Sequence, residues 1–372
     1  MKSRLFVYCL FAWKIVLKKI AMSPQFSTRS TFPFWLMLCL LLSLGSVGVL
    51  ATTPAFAQNR KQNSEQSDQN LSQREDADFQ LSLGREAQQQ GQLDKAIFYW
   101  LKAASIYQRF GDEEGLGLAY DYLGEAYVAV GDAQGAEDAF RRRLAVARDR
   151  NDLQAQMFAL NNLGTLFLKQ GNLNIAEEVF SDALAIARSV ENLLTAGMSL
   201  NNLGLTASLR GDYNQAIKLY STALLFRRKA KDPAGEAITL NNLGEAYLRN
   251  EQSTEAIAAY RDAFFMAGSV GDTENQFRAY EGKFFTYKAM GESKLALREL
   301  NRWADFAKTQ NNQLEEFKTF EQAGYLYAEL GDQDQAISFL TKAIELATAI
   351  GELDRIAFIQ QRLSAIQYGD LK

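Results

Sequence analysis

Seven alanines recur at intervals of 40 residues: Ala96, Ala136, Ala176, Ala216, Ala256, Ala296 and Ala336. Four residues after each stands a large apolar side chain, in order Trp100, Phe140, Phe180, Tyr220, Tyr260, Leu300 and Leu340. Two glycine columns keep the same step. One runs Gly84, Gly124, Gly164, Gly204, Gly244 and Gly324, broken by Phe284; the other runs Gly91, Gly131, Gly171, Gly211, Gly291 and Gly331, broken by Glu251. A chain with this period does not build one central core. Each unit carries an apolar face that it cannot bury alone, and stacking on the next unit buries it.

Within a unit the apolar spacing is helical. Leu160, Leu163, Gly164 and Phe167 fall at i, i+3, i+4 and i+7, one stripe of an amphipathic helix. Only four prolines are present, and Pro233 alone lies beyond residue 60, which favours an all-α body. Gly171 is expected to end a helix in the left-handed conformation and Asn172 to cap the next; Gly131-Asp132, Gly211-Asp212 and Gly331-Asp332 repeat that signal. The alanine column marks the closest crossing of two helices, and the large residue four places on fills the space beside it. Each unit is therefore a helical hairpin. The sixth, with YEGKFFTYKAMG at Tyr280–Gly291, is irregular and suggests a local bend, and Leu353–Gln367 keeps a first-helix pattern suited to a closing cap.

The pairs Leu123-Gly124 with Tyr127, then Ala136 with Phe140, and Leu243-Gly244 with Tyr247, then Ala256 with Tyr260, resemble the tetratricopeptide pattern L-G-x2-Y…A-x3-F. The 40-residue length and the missing closing proline are similar to the longer repeats of kinesin light chain and Pins/LGN-type scaffolds. That resemblance implies a right-handed solenoid of about seven hairpins plus a C-terminal capping helix over residues 79–372, its first helices lining a concave, peptide-binding face.

Ahead of the repeats lie two other segments. Phe34–Leu50 is apolar and uncharged, and Ala55-Phe56-Ala57 fits a small-x-small cleavage site, so residues 1–57 read as an N-terminal extension and signal peptide cut after Ala57. An uncleaved anchor is the competing reading. The apolar stretch before Met22 leaves open whether translation starts at Met1 or Met22. Residues 58–78 are polar, lack an apolar period and read as a flexible linker. Residues 1–57 hold six of the basic residues and no acid, so removing them leaves 34 basic against 44 acidic residues, a net charge of −10. Such a chain is no general nucleic-acid binder, which needs clustered Lys and Arg.

The inventory also excludes much chemistry. Histidine is absent, and the two cysteines, Cys9 and Cys39, precede the repeats, so the repeat body has no thiol nucleophile, no His base and no usual zinc set. A non-enzyme is expected. A carboxylate-based hydrolase would need a helical toroid with opposed acids.

The sequence LNNLG stands three times, at Leu160–Gly164, Leu200–Gly204 and Leu240–Gly244. Asparagine is a poor helix former, so paired copies call for a use. On an isolated helix Asn161 and Asn162 lie off the apolar stripe. They are expected on the groove with Thr165 and Lys169, stacked with Asn201, Asn202, Asn241, Asn242, Glu245 and Arg249, where amides would pair with the backbone of an extended peptide. The alternative is that the amides bond neighbouring repeats or water. The Asn161 column continues as Asp121, Glu281 and Glu321, and Asp121 with Glu125 is an i, i+4 carboxylate pair that could hold a hard cation or simply be a solvated surface.

Export signal, repeat content, length and acidity are together similar to the periplasmic, processing-associated tetratricopeptide proteins of cyanobacteria. The resemblance implies a role in photosystem II assembly, with the C-terminal region of the D1 precursor as partner and Mn²⁺ as cofactor. An envelope-assembly or secretion adaptor without metal remains the alternative.

Overall fold

The structure is a computed structural model that describes residues 54–368 of the chain and the side chains of residues 71–367. The signal-peptide reading, the choice between Met1 and Met22 and the run Phe34–Leu50 concern residues that fall outside it, except for 54–57. Fifteen helices and no strand are found among the described residues. They are α1 (Pro54–Gln89), α2 (Leu93–Phe110), α3 (Glu113–Val130), α4 (Ala133–Asp149), α5 (Leu153–Lys169), α6 (Leu173–Ser189), α7 (Leu193–Leu209) and α8 (Tyr213–Ala230). Then follow α9 (Pro233–Arg249), α10 (Ser253–Ser269), α11 (Thr273–Ala289), α12 (Ser293–Thr309), α13 (Gln313–Glu329), α14 (Gln333–Ile350) and α15 (Leu353–Tyr368). Each odd-numbered helix from α3 to α13 forms a hairpin with the even-numbered helix after it, the C-terminal part of α1 packs on α2 through Leu81 and Gly84 against Trp100, and α15 closes the series on α14. Extensive packing runs between helices one or two apart in the chain, the pattern of a solenoid.

The breaks between helices come every 20 residues, twice as often as the glycines announce. Left-handed residues stand at Gly91, Gly111, Gly131, Asn151, Gly171, Glu191, Gly211, Lys231, Glu251, Gly271, Gly291, Asn311, Gly331 and Gly351. Glu251, the exception in its glycine column, takes the same backbone with φ 60°. Helix starts are fixed by side chains. The Asp112, Asp152, Asn192, Asp232, Asp272 and Asn312 oxygens accept the N–H three residues on, at 2.9–3.1 Å, and Asp132, Asp212 and Asp332 do so in the alternate turns. Asn172 departs from expectation: it makes no cap bond, and its Nδ2 donates to Gln170 Oε1 instead.

The stretch 58–78, read as a loose linker, lies inside α1. Its Gln, Glu, Arg and Ser side chains are compatible with a helix even without an apolar stripe. Packing begins within it, since Ala77 is fully buried, followed by Leu81 and Gly84 against Trp100.

All seven alanines of the 40-residue column are completely buried. The glycine column lies against the large side chain of the same hairpin. A Cβ on Gly164 would sit 2.5 Å from Phe180, one on Gly204 2.7 Å from Tyr220, and one on Gly244 2.8 Å from Tyr260. The ring thus rests on bare backbone, and a methyl group would have no room.

The sixth hairpin departs from this scheme in a specific way. Phe284 occupies the glycine position and is fully buried, while glycine moves two places to Gly282, whose backbone faces Tyr260 of the preceding hairpin. Lys283 and Glu299 replace apolar residues of the neighbouring columns and form an ion pair, with Glu299 only 2% exposed. The two substitutions compensate each other: Lys283 would otherwise lack an anionic partner, and Glu299 would keep only the longer contact to Arg302 at 3.4 Å.

Replacing Gly164 with alanine tests the ring-on-backbone contact. Overpacking costs about 1–3 kcal/mol, which exceeds the gain of about 1 kcal/mol from helix propensity. Urea unfolding should show a net loss of about 1 kcal/mol; a more stable G164A would mean that the ring yields freely.

Candidate functional site

The asparagines form a directed chain of hydrogen bonds across four odd-numbered helices. Asn161 Oδ1 on α5 accepts from Asn202 Nδ2 on α7 at 3.5 Å and from Ser199 Oγ at 3.2 Å. Asn202 Oδ1 accepts from Asn201 Nδ2 at 3.3 Å, and Asn201 Oδ1 accepts from Asn242 Nδ2 on α9 at 2.9 Å. Asn242 Oδ1 finally accepts from Arg278 Nη2 on α11 at 2.7 Å. Each amide donates backward and accepts from the next, and the donor end is a guanidinium. Chains of this kind polarise one another in a low-dielectric setting. Asn241 is fully buried beside them, its Nδ2 donating to the backbone oxygen and Oδ1 of Asn275 at 3.0 and 3.1 Å.

This arrangement corrects the expectation that the amides face an open groove. Asn161, Asn201, Asn241 and Asn242 are buried between hairpins, with at most 7% exposure, and their bonds go to neighbouring repeats. The physical reason is that an isolated helical wheel ignores the next helix. Residues off the apolar stripe of α5 are covered by α7, which brings Ser199 and Asn202 opposite Asn161. The pairings join residues 38 and 41 apart in sequence, a step set by the stacking of hairpins and not by the 40-residue columns. Asn162 and Asn202 are half-buried, while Thr165, Lys169 and Arg249 are exposed and Glu245 half-buried.

Asp121 and Glu125 are likewise not a free carboxylate pair. Asp121 Oδ2 accepts from Arg143 Nε on α4 at 2.7 Å. Burial pushes the Asp121 carboxyl up from its ordinary range, opposed by Arg143; burial and then the Asp121 charge push Glu125 up. The guanidinium holds the place a cation would need, and among the described residues no three acidic, His or Cys side chains are grouped to hold a metal. These donors do not fit Mn²⁺.

What the odd helices do offer is a row of hollows at repeating positions. Between α3 and α5 lies one of about 200 Å³, lined by Glu125, Val128, Phe140, Asn162, Thr165, Leu166 and Lys169. The equivalents 120 residues on bound one of about 500 Å³ between α9 and α11: Glu245, Leu248 and Tyr260 on one side, Gly282, Phe285 and Ala289 on the other. Between α13 and α15 the same positions supply Tyr325, Ala328, Arg362 and Ile366 around about 370 Å³. Glu245 accepts from Arg249 Nε at 2.8 Å and from the Tyr260 hydroxyl at 3.2 Å. A further hollow of about 790 Å³ adjoins at the start of α11 and α13, sharing Arg278 and Glu281 with the α9–α11 one.

Tetratricopeptide-repeat family models match residues 119–154, 155–229 with 195–267, and 317–349, so the chain carries repeats of this type. The matched stretches omit residues 268–316, where the irregular sixth hairpin lies. No curated protein matches the sequence. Among solved structures, the chain is similar to the STAND protein with a tetratricopeptide repeat sensor, PH0952, from Pyrococcus horikoshii, at 18% identity and TM-score 0.60 over 74% of this chain and 43% of that one. Aspartyl phosphate phosphatase F from Bacillus subtilis matches at 15% identity and TM-score 0.56, covering 84% and 80%. BtubC from P. vanneervenii matches at 19% identity and TM-score 0.54, covering 59% and 92%. At such identities the likeness is one of fold.

The division between buried and half-buried amides makes a sharp contrast. Asn161→Ala leaves Ser199 and Asn202 without their acceptor and should cost about 1–3 kcal/mol. Asn162→Ala, which breaks no hydrogen bond to a described residue, should stay within about 0.5 kcal/mol of the parent. Equal losses in urea unfolding would count against the inter-repeat role of Asn161.

Proposed function

We propose that the chain is a non-enzymatic scaffold that holds an extended segment of a partner protein along its odd-numbered helices. The observation carrying this reading is the recurrence of hollows at equivalent positions of three pairs of odd helices, α3–α5, α9–α11 and α13–α15, with exposed Thr165, Lys169, Arg249 and Phe285 at the walls of the first two. Helices packed at roughly 9 Å and an extended chain rising about 3.3 Å per residue give about three peptide residues per odd helix. A row from α3 to α13 then accommodates a segment on the order of 15 residues. The sequence, which lacks histidine throughout and has cysteine only at Cys9 and Cys39, supports a binding rather than a catalytic role.

The site of action follows from the first 57 residues: the apolar run and the Ala55-Phe56-Ala57 site support export to the periplasm or beyond. A more specific form of the proposal places the scaffold in photosystem II biogenesis, with the D1 precursor's C-terminal segment as occupant. It is supported by the resemblance in export signal, repeat content and acidity. Manganese delivery is not part of it, given the Asp121–Arg143 pairing.

Affinity capture from the periplasmic fraction, comparing the parent with a Lys169→Glu/Arg249→Glu variant, tests the reading. Both residues are exposed, so the variant should keep its melting temperature and lose its partner. Retention of every captured protein by the variant would reject the groove.

A further inference from the structure

The 40-residue column that contains Asn161 has three acidic members, and two of them are tied down inside the protein. Asp121 is bound by Arg143. Glu321, 1% exposed, accepts from Arg355 Nη2 at 2.6 and 2.5 Å and from the Tyr325 hydroxyl at 3.1 Å. Glu281 is the third. It is half-buried on α11 and has no hydrogen bond or ion pair with any described residue.

Its surroundings are built to receive something. Glu281 and Arg278 form the common wall of the two adjoining hollows of about 500 and 790 Å³. At the next position Gly282 stands where the three preceding units have Asn162, Asn202 and Asn242, and the Tyr260 ring lies against its bare backbone, so the wall beside Glu281 there is aromatic and not amide. Of the charges nearby, Glu245 is paired with Arg249 and Glu315 with Lys318, while Arg278 donates to the neutral Asn242 amide and makes no ion pair with Glu281. Tyr260 and the exposed Phe285 supply ring surface on the α9–α11 side. Burial, with smaller contributions from Glu315 and Glu245, pushes the Glu281 carboxyl up, against Lys318 and Arg278. A carboxylate in that position is stabilised by an incoming cation.

Building on the scaffold reading above, we propose that Glu281 anchors a basic side chain, arginine or lysine, of the bound partner segment. Aromatic walls suit the alkyl stem and the flat guanidinium, and the carboxylate takes the charge-assisted hydrogen bonds. A divalent cation is disfavoured because no further free carboxylate is grouped there to complete its shell.

Saturation-transfer NMR on the full-length chain reads this out with N-acetyl-L-arginine amide and its neutral isostere N-acetyl-L-citrulline amide. Saturation should reach the arginine compound at least threefold more strongly. In Glu281→Gln the arginine signal should fall to the citrulline level, and Phe285→Ala should weaken it, with thermal melts confirming that both variants are folded. Equal signals from the two compounds, no signal from either, or an arginine signal unchanged in E281Q would overturn the anchor. Failure here with partner capture still dependent on Lys169 and Arg249 removes the anchor alone. Capture that ignores those two residues removes the groove itself.

Discussion

The whole architecture depends on a large apolar side chain, aromatic in the first five hairpins and Leu340 in the seventh, lying directly on a helix backbone. Phe180 on Gly164, Tyr220 on Gly204 and Tyr260 on Gly244 set how closely the two helices of a hairpin approach, and the fully buried alanines four residues before each ring keep the same spacing. Because the contact recurs every 40 residues, each hairpin presents the same apolar face to its neighbour and the stack continues without a central core. Where the ring-on-glycine contact is lost, at Phe284, the hairpin is rebuilt around Gly282 against Tyr260 and an internal Lys283–Glu299 pair. The hollows of about 500 and 790 Å³ open beside this same hairpin.

A second layer of order is polar. The amide chain from Asn161 to Arg278 links α5, α7, α9 and α11 through the buried Asn161, Asn201 and Asn242, the half-buried Asn202 and the exposed Arg278. Hydrogen bonds of this kind have one good geometry, whereas apolar faces can slide. They therefore hold successive odd helices in register, and the walls of the hollows are set before any ligand arrives. A groove fixed in advance loses less entropy on binding an extended segment. The chain ends at Arg278, one turn from Glu281, so the rigid part of the solenoid runs directly into the least satisfied carboxylate of its column.

Much of this was legible in the residues themselves. The alanine, ring and glycine columns gave the hairpins, their number and the left-handed turns, because those features depend on contacts within one unit. The turns at Asn151, Glu191, Lys231 and Asn311 were hidden, since nothing in their side chains demands a positive φ. The fate of the asparagines was also hidden. Whether Asn161 meets water or Ser199 is decided by the neighbouring hairpin, 38 residues away in sequence. The same holds for Asp121 with Arg143 and for Glu321 with Arg355, where a surface acid on an isolated helix becomes an internal ion pair in the stack.

A double-mutant cycle between Asn201 and Asn242, read by urea unfolding, addresses the account most directly. If the amides bond each other across the α7–α9 interface, the two alanine substitutions should be coupled by about 1 kcal/mol. Strict additivity, with the double variant losing the sum of the two single losses, would show that each amide serves some other partner and that no polar chain holds the odd helices together.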